Sequence, residues 1–565
     1  MTTQPLPVAE TPDPVGAFPR LSDEQLAALM PHGEVRAVDR GDVLYREGER
    51  SNAFLVVLSG AVALVSGYGA DEQVVGVHGR GRFLGGLGLL TGEAMFLTAV
   101  VTAPGQVLSI PIQTLRELVD QDPALGDLVL RAFLLRRSLL IKLGAGLRII
   151  GSRFSPDTRR LREFAARNRL PHTWIDLEED RGAEDLLRHL GVQPEETPVV
   201  VWGARHVLRN PSTAELATLI GLPVPAAADS PADLVVVGAG PAGLAAAVYG
   251  ASEGLTTMAL DAVATGGQAG TSSKIENYLG FPAGVSGGEL AERALVQAEK
   301  FGAQFGVPGS AVGLGTRDGH FVVRLEDGGS VPARSVVICT GVHYRRLPVP
   351  RLDEFEGKSV FYAATEVEAQ MCTGHSVAVV GGGNSAGQAA LFLARKVGRV
   401  SLLVRDEDLG KSMSRYLINR IGQNPAIEVL TSTEVSELVG DDAELRGLVL
   451  HDRRTSEQRR LDARALFVFI GADPHVDWLA GQVALDDHGF ILTGASAAAN
   501  GAVPAAREPA PLETSLPGVF AAGDVRSGSI KRVASAVGEG AMAVRLVHDH
   551  LAGVRELEHP AVSQR

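Results

Sequence analysis

The sequence predicts a multidomain α/β protein. Its second half holds two units of the dinucleotide-binding kind, preceded by an all-β roll with helices and by a small α/β domain. Three observations carry this reading. Two apolar runs, beginning at Leu234 and at Val377, each lead into a glycine-rich turn and then a helical stretch. The segment up to about residue 141 breaks into short apolar runs separated by turn residues, the pattern of a sandwich or barrel. The chain is 565 residues long, and at roughly 150 residues per domain this gives three to four domains. Apolar residues make up 45% of the chain, enough for several cores, and 53 basic against 66 acidic residues leave a net charge of −13. That balance argues against a general nucleic-acid binder and against attraction to an anionic membrane. Cys339 and Cys372 are the only cysteines, which excludes a disulfide scaffold, a four-cysteine zinc site and any closely spaced dithiol.

The elements follow in order. Residues 1–19 are Pro-rich and polar with no apolar h-region, so a disordered tail is expected and not a signal peptide. No stretch reaches the ~18 apolar residues of a membrane span, and the expected setting is the cytoplasm. In 20–141 an amphipathic run (21–30) precedes strand-like runs at 42–45, 53–58, 61–66, 74–77 and 97–110. A helical stretch (115–143) closes the segment. In 147–222, strand-like runs at 147–150, 173–177 and 198–202 alternate with helical segments; the first of these, 156–168, is capped by Ser155. An Ala/Pro linker, 223–231, leads to the large α/β region. Arg136-Arg137 and Arg159-Arg160 read as solvated helix faces, and His548-Asp549-His550 as a solvated helix end and not a metal site.

In the first glycine-rich unit, Gly238 permits the tight turn and Gly240, followed by Pro241 and Ala242, lets backbone approach a pyrophosphate. Gly243 lets helix and strand pack closely, so the helix N-terminus faces the phosphates. Asp261, at the end of the next strand, stands where a ribose hydroxyl is held. The second unit repeats this logic with Gly381, Gly383, Asn384, Ser385 and Ala386. Its following strand ends at Arg405, and a cation there accepts the 2′-phosphate of NADPH. Lys411 and Arg415 are further candidates. Asp406, Glu407 and Asp408 crowd the same turn, so NADPH is favoured and NADH stays open. Together the two units point to Rossmann-like domains for FAD and a nicotinamide.

Gly266-Gly267-Gln268, Ile275-Glu276-Asn277-Tyr278, Cys339-Thr340-Gly341, Gly381 to Ala386 and Pro517-Gly518-Val519-Phe520-Ala521-Ala522-Gly523-Asp524-Val525 carry a resemblance. The region from 233 to 555 resembles the low-molecular-weight thioredoxin reductases over their whole length. The resemblance implies an FAD domain made of 232–345 and 471–555, with the NAD(P)H domain, 346–470, inserted between. It implies that Gly523 and Asp524 meet the flavin ribityl and pyrophosphate. It also implies that Gly267, Gln268, Asn277, Thr340, Gly341, Arg532, Val533 and Ala534 lie along the FAD, and that the protein is a homodimer.

The chain departs from that family at its dithiol. Where the family carries Cys-Ala-Thr-Cys after a tyrosine, this sequence reads Tyr362-Ala363-Ala364-Thr365-Glu366. Thiol–disulfide exchange needs an attacking thiolate and a resolving sulfur, and neither residue type supplies one. Glu366 is either a proton donor or tuner beside the flavin ring, or a solvated carboxylate in a reshaped loop. Cys372 is either a lone reactive thiol or a spacer, and a Cys339–Cys372 pair needs close Cα atoms. Of the family's basic cluster for the 2′-phosphate only Arg405 is kept, and Gln388 replaces a frequent glutamate.

Two further resemblances lie in front. Residues 20–141, through 41–49, Leu58-Ser59-Gly60 and 83–90, resemble a cyclic-nucleotide-binding domain. Its ribose-binding Glu is here Gly86 and its phosphate-binding Arg is Phe96, so no cAMP binding is expected. Residues 147–222 resemble a glutaredoxin- or thioredoxin-like domain, with Ser155-Pro156-Asp157-Thr158 in place of Cys-Pro-x-Cys and Thr197-Pro198 at the family's cis peptide. The whole reads as an FAD-dependent NAD(P)H oxidoreductase passing electrons to a quinone, oxygen, a ferredoxin-like partner or a dithiol. The alternative is a flavin-based redox sensor with interaction modules in front.

Overall fold

The computed structural model describes residues 9–67, 72–203, 206–224, 230–272, 274–275, 277–356, 358–362, 364, 366–441, 444–499 and 508–558. The first of two units comprises Met1–Ala226, Ala262–Ala264 and Val296–Gly309; the second holds the rest.

In the first unit the strand Thr98–Pro111 pairs antiparallel with Glu34–Val38, Val43–Tyr45 and Ala53–Ser66, and Gln73–His78 adds to the last of these. The runs at 53–58 and 61–66 are one strand and not two. An extra residue on this strand, Leu58, is followed by two on the partner, between Gln106 and Ala103 and between Ala103 and Val101, so the long pairing is irregular there but resumes. The helical stretch at 115–143 is in fact two helices, Ile112–Gln121 and Pro123–Leu143. Pro123 lacks the N–H that a continuous helix needs, and the extended Asp122 caps the second helix by accepting from the Ala124 and Leu125 N–H groups.

The expected disordered tail is corrected over residues 9–19. Ala17 and Phe18 are buried, the Thr11 N–H donates to the Val77 carbonyl at 3.1 Å, and Glu10 pairs with Arg82 at 2.7 Å. Two apolar anchors and a part-buried ion pair offset the ordering cost of a short Pro-rich stretch. Residues 1–8 lie outside the described residues.

The small α/β domain has the strand order His172–Asp176, Leu147–Gly151, Val199–Trp202, His206–Arg209, the first pair parallel and the others antiparallel. Ser155 caps the helix Pro156–Arg167 by accepting from the Thr158 N–H, and the Thr197–Pro198 peptide is cis. Phe96 of the roll packs into this domain's core against Trp202, with ring centroids 5.2 Å apart.

In the second unit Ala232–Val237 runs parallel between Thr257–Leu260 and Ser330–Ile338, and Val519–Ala521 lies parallel on the far side of the latter. A second parallel sheet has the order Val360–Phe361, Ala465–Val468, Ser376–Val380, Arg399–Leu403, Ile427–Leu430. Its chain segment leaves and rejoins the first sheet through a two-stranded joint, Val342–Tyr344 against Ala472–Pro474.

Candidate functional site: two dinucleotide cradles

The strand Ala232–Val237 ends at Gly238, whose φ of +101° suits glycine and where a side chain would collide with the Cys339 carbonyl. The helix Pro241–Ser252 starts from Gly240, with proline at its first position and a small-residue, largely buried face. Gly243 packs directly on the Gly238 carbonyl, so helix and strand touch through backbone. A side chain at Gly240 would meet only the Gly267 Cα, at 3.8 Å. The mouth of this turn is thus lined by backbone N–H groups and glycines, which fits a pyrophosphate. The Asp261 carboxylate accepts from the Ala239 N–H at 2.9 Å, which fixes it at the edge of the turn.

Other expected FAD residues are tied to the frame. Gln268 donates its amide to the Val342 carbonyl, and the Thr340 hydroxyl donates to the His475 carbonyl at 2.7 Å. Both therefore brace the two-stranded joint. Gly341 follows with φ +66°, and Asn277 is exposed. Beyond the strand Val519–Ala521, the Gly523 N–H donates to Glu539 at 2.7 Å, and Glu539 also pairs with Arg526 at 2.5 Å. Asp524 is half-buried; burial raises its carboxyl above the ordinary range, and Lys531 opposes this.

The resemblance implies that Arg532 lies along the FAD. Arg532 is exposed and reaches only the Lys531 carbonyl. Lys531 instead donates to the Asp524 carbonyl and to Ser529, with its ammonium 4.4 Å from the Phe490 ring. Val533 and Ala534 open the helix Val533–Glu558. Glu539 and Arg526 were missed as well. The signal available was the spacing of Glu539 on this helix, within reach of the Gly523-Asp524 turn.

The second cradle repeats the first. Gly381 (φ +143°) lies against the Phe469 carbonyl, and Gly383 begins the helix Asn384–Leu393, on which Ser385 is exposed and Ala386 buried. The Asn384 side-chain amide oxygen accepts from the Ser414 N–H at 2.7 Å, and the Ser412 hydroxyl donates to the Gly382 carbonyl at 3.0 Å. These bonds fold the 405–414 loop onto the turn. Lys411 is spent on Asp406 at 3.0 Å, and its hydrogen bond holds that carboxyl below the usual range. Arg405 and Arg415 are exposed and are in no carboxylate ion pair among the described residues, although Arg405 helps hold the Asp406 carboxyl down.

The stretch that replaces the dithiol gives a mixed result. Glu366 opens the helix Glu366–Met371, but its side chain lies outside the described residues, as do residues 363 and 365. Cys372 is corrected as a reactive thiol. It is 2% exposed in a core with Ala369, Val377 and Leu393, and burial pushes its thiol up to about 11. At neutral pH only about one in ten thousand such groups is a thiolate. Cys339 is buried at the end of the strand Ser330–Ile338 and raised by burial too; both cysteines are free.

Two glycine cradles on parallel sheets, one domain inserted into the other, define a two-nucleotide oxidoreductase architecture. The chain belongs to the pyridine nucleotide-disulphide oxidoreductase family, whose model matches residues 232–540. Residues 35–122 match the cyclic nucleotide-binding domain. The chain is similar to NADPH-dependent thioredoxin reductase 3 of Arabidopsis thaliana, with 32% identity over 60% of this chain and 64% of that protein. It is similar to one component of the alkyl hydroperoxide reductase of Pseudomonas putida, with 36% identity over 56% of this chain and 58% of that protein. It thus spans less than two thirds of these two relatives. It covers 97% of the thioredoxin reductase of Streptomyces clavuligerus, at 32% identity over 58% of this chain. Among solved structures, Lactococcus lactis thioredoxin reductase (FR conformation) aligns with a TM-score of 0.52 at 27% identity, over 57% of this chain and 99% of that one. The family implies FAD and NADPH as cofactors. No helix among the described residues is long and apolar enough to cross a membrane.

Proposed function

We propose that this chain is an NADPH-dependent FAD oxidoreductase that delivers electrons to its acceptor without a protein dithiol. The observation that carries the reading is the fate of its two cysteines: each is buried in a different nucleotide domain, free, and raised far above neutrality. FAD, when bound, supplies hydride acceptance from the nicotinamide and onward electron transfer. The chain supplies the rest. The Gly238–Gly243 turn with Gly267 takes the pyrophosphate of FAD, Asp261 its ribose, and the Gly523–Asp524 turn its remaining length. Gly381–Ala386 takes the pyrophosphate of NADPH, and Arg405 with Arg415 its 2′-phosphate. Two exposed cations outside any close ion pair favour NADPH over NADH. Glu366, at the place of the family's second sulfur, is the candidate proton donor. The acceptor is a quinone, oxygen, a ferredoxin-like protein or a dithiol, and the working form is a homodimer.

Anaerobic stopped-flow reduction with NADPH and with NADH, followed by mixing with each acceptor, tests this. Fast reduction by NADPH and fast reoxidation by one acceptor are expected, unchanged in Cys372→Ser. Thioredoxin turnover that Cys372→Ser abolishes would overturn the reading. Fast reduction with no acceptor better than oxygen selects the flavin-based sensor, which the thiol-free front modules favour.

A further inference from the structure

The first unit holds a cavity where the resemblance to a nucleotide-binding roll places its ligand. It is partly open to solvent and is walled mainly by apolar side chains and by the Gly85–Gly88 backbone. The two groups a cyclic nucleotide requires are gone. Gly86 offers no carboxylate, and a Cβ there meets nothing within 4 Å, so its place is open space. Phe96 offers no cation.

The cavity is nevertheless charged. Arg136 and Arg137 were expected on a solvated helix face and are instead 4% and 6% exposed, both lining the cavity. The reason is tertiary: Arg137 pairs with the buried Glu93. Arg136 has no carboxylate within ion-pair distance among the described residues. It donates to the Ala17, Gly85 and Phe83 carbonyls at 2.7, 2.8 and 2.9 Å. The rings of Phe18, Phe83 and Phe133 lie 5.4, 4.7 and 5.5 Å from it. Asp13 attracts it from farther off and does not line the cavity; Arg82 is paired with Glu10. Three of five guanidinium N–H groups are used. A buried cation held only by dipoles and ring faces is an incomplete ion pair. Tyr45, also on the wall, stays neutral, because burial pushes its phenol up to about 12.

We propose that this cavity binds an amphipathic organic acid, with one carboxylate against Arg136 and a hydrocarbon body against Leu64, Met95, Leu97 and Leu140. One uncompensated cation matches one negative charge, and a charge-assisted pair in an apolar site is strong. A phosphate dianion would bring excess charge, and a neutral hydrocarbon would leave the guanidinium unpaired.

Calorimetric titration of the full-length holoprotein with octanoate, 1-octanol and cAMP tests this. Octanoate is expected to bind once per chain, at least tenfold tighter than octanol, with no heat from cAMP. Gly86→Leu fills the cavity from an open position with ordinary backbone; it is expected to abolish octanoate binding and to leave NADPH-driven flavin reduction unchanged. Arg136→Met is expected to erase the preference for octanoate over octanol. Equal affinity for the two in the wild type, octanoate binding that survives Gly86→Leu, displacement by cAMP, or no binding at all would each overturn the proposal.

Discussion

Gly243→Ala is the sharpest test of the FAD cradle. An added Cβ would sit 1.8 Å from the Gly238 carbonyl oxygen and 3.2 Å from a Val236 methyl. An ordinary contact needs ~1.5 Å more. The obstructing atom is backbone at the end of a central strand, so no side chain can swing away. Relief requires the helix Pro241–Ser252 to lift, and that helix is buried along most of its length. Overpacking typically costs about 1–3 kcal/mol, and a rigid obstacle puts this case at the upper end. If that strain falls on the phosphate-binding turn, FAD affinity drops by roughly 150-fold. The readouts are the flavin-to-protein absorbance ratio after purification and a fluorescence titration of apoprotein with FAD. Gly422→Ala is the control: it is exposed on a helix, a Cβ there meets nothing within 4 Å, and full FAD content is expected. Wild-type FAD affinity in Gly243→Ala would refute the assignment of this turn to the pyrophosphate.

Three more outcomes are expected. Arg405→Ala removes an exposed cation from the second cradle, and KM for NADPH should rise roughly tenfold while that for NADH stays put; an unchanged ratio of the two counts against the 2′-phosphate site. Glu539→Gln leaves Arg526, 20% exposed, without its charge partner and weakens the brace on the Gly523 N–H. Thermal unfolding should show a loss of about 2–3 kcal/mol, and no loss would mean the pair is idle. Glu299 has a buried oxygen without a hydrogen-bond partner; burial first, and then Glu93, raise its carboxyl from 4.5 to about 8, against Arg116. Its neutral form is the one the fold accommodates. The stability it contributes is thus full below the unfolded value and is lost as pH rises through about 8, with an upper bound of roughly 5 kcal/mol. Glu299→Gln should flatten the decline of the melting temperature between pH 5 and 9, and parallel profiles for variant and wild type would exclude this.

What the sequence revealed, and what it hid, follows from how locally each feature is determined. The glycine turns were legible because part of their sterics acts within a few residues: Gly243 packs on the Gly238 carbonyl, and no side chain fits. Ser155 and Asp122 cap helices for equally local reasons, although the break that Asp122-Pro123 imposes was missed. Arg136 and Arg137 were illegible because burial of a cation is set by partners far along the chain, Ala17, Phe83, Gly85 and Glu93. Lys531 and Arg532 are adjacent and chemically alike. Which one serves Asp524 is decided by where the helix begins at Val533, a boundary that pattern reading does not fix. The sequence left Cys372 as a reactive thiol or a spacer; the turn after the helix Glu366–Met371 places it in the core with Ala369.

The exchange at Phe96 shows why the front unit does not reduce to a damaged nucleotide sensor. The resemblance places a phosphate-binding arginine there, and in this chain the ring on the cavity wall also packs into the small α/β domain. It packs against Trp202 in a core with Leu147, Leu161, Phe164, Leu216 and Ile220. Burying a phenyl ring contributes about 1.5–3 kcal/mol, so a ligand contact has become a weld between roll and small domain. Phe96→Arg therefore should not restore nucleotide binding. It would place a cation in an apolar core with no acid in that cluster, and either the charge is buried unpaired or the weld opens. A loss of about 3–5 kcal/mol in the unfolding of this unit is expected, with no heat on titration with cAMP. Calorimetric binding of cAMP by a variant as stable as the wild type would show that the pocket had kept its original chemistry and lacked only the cation.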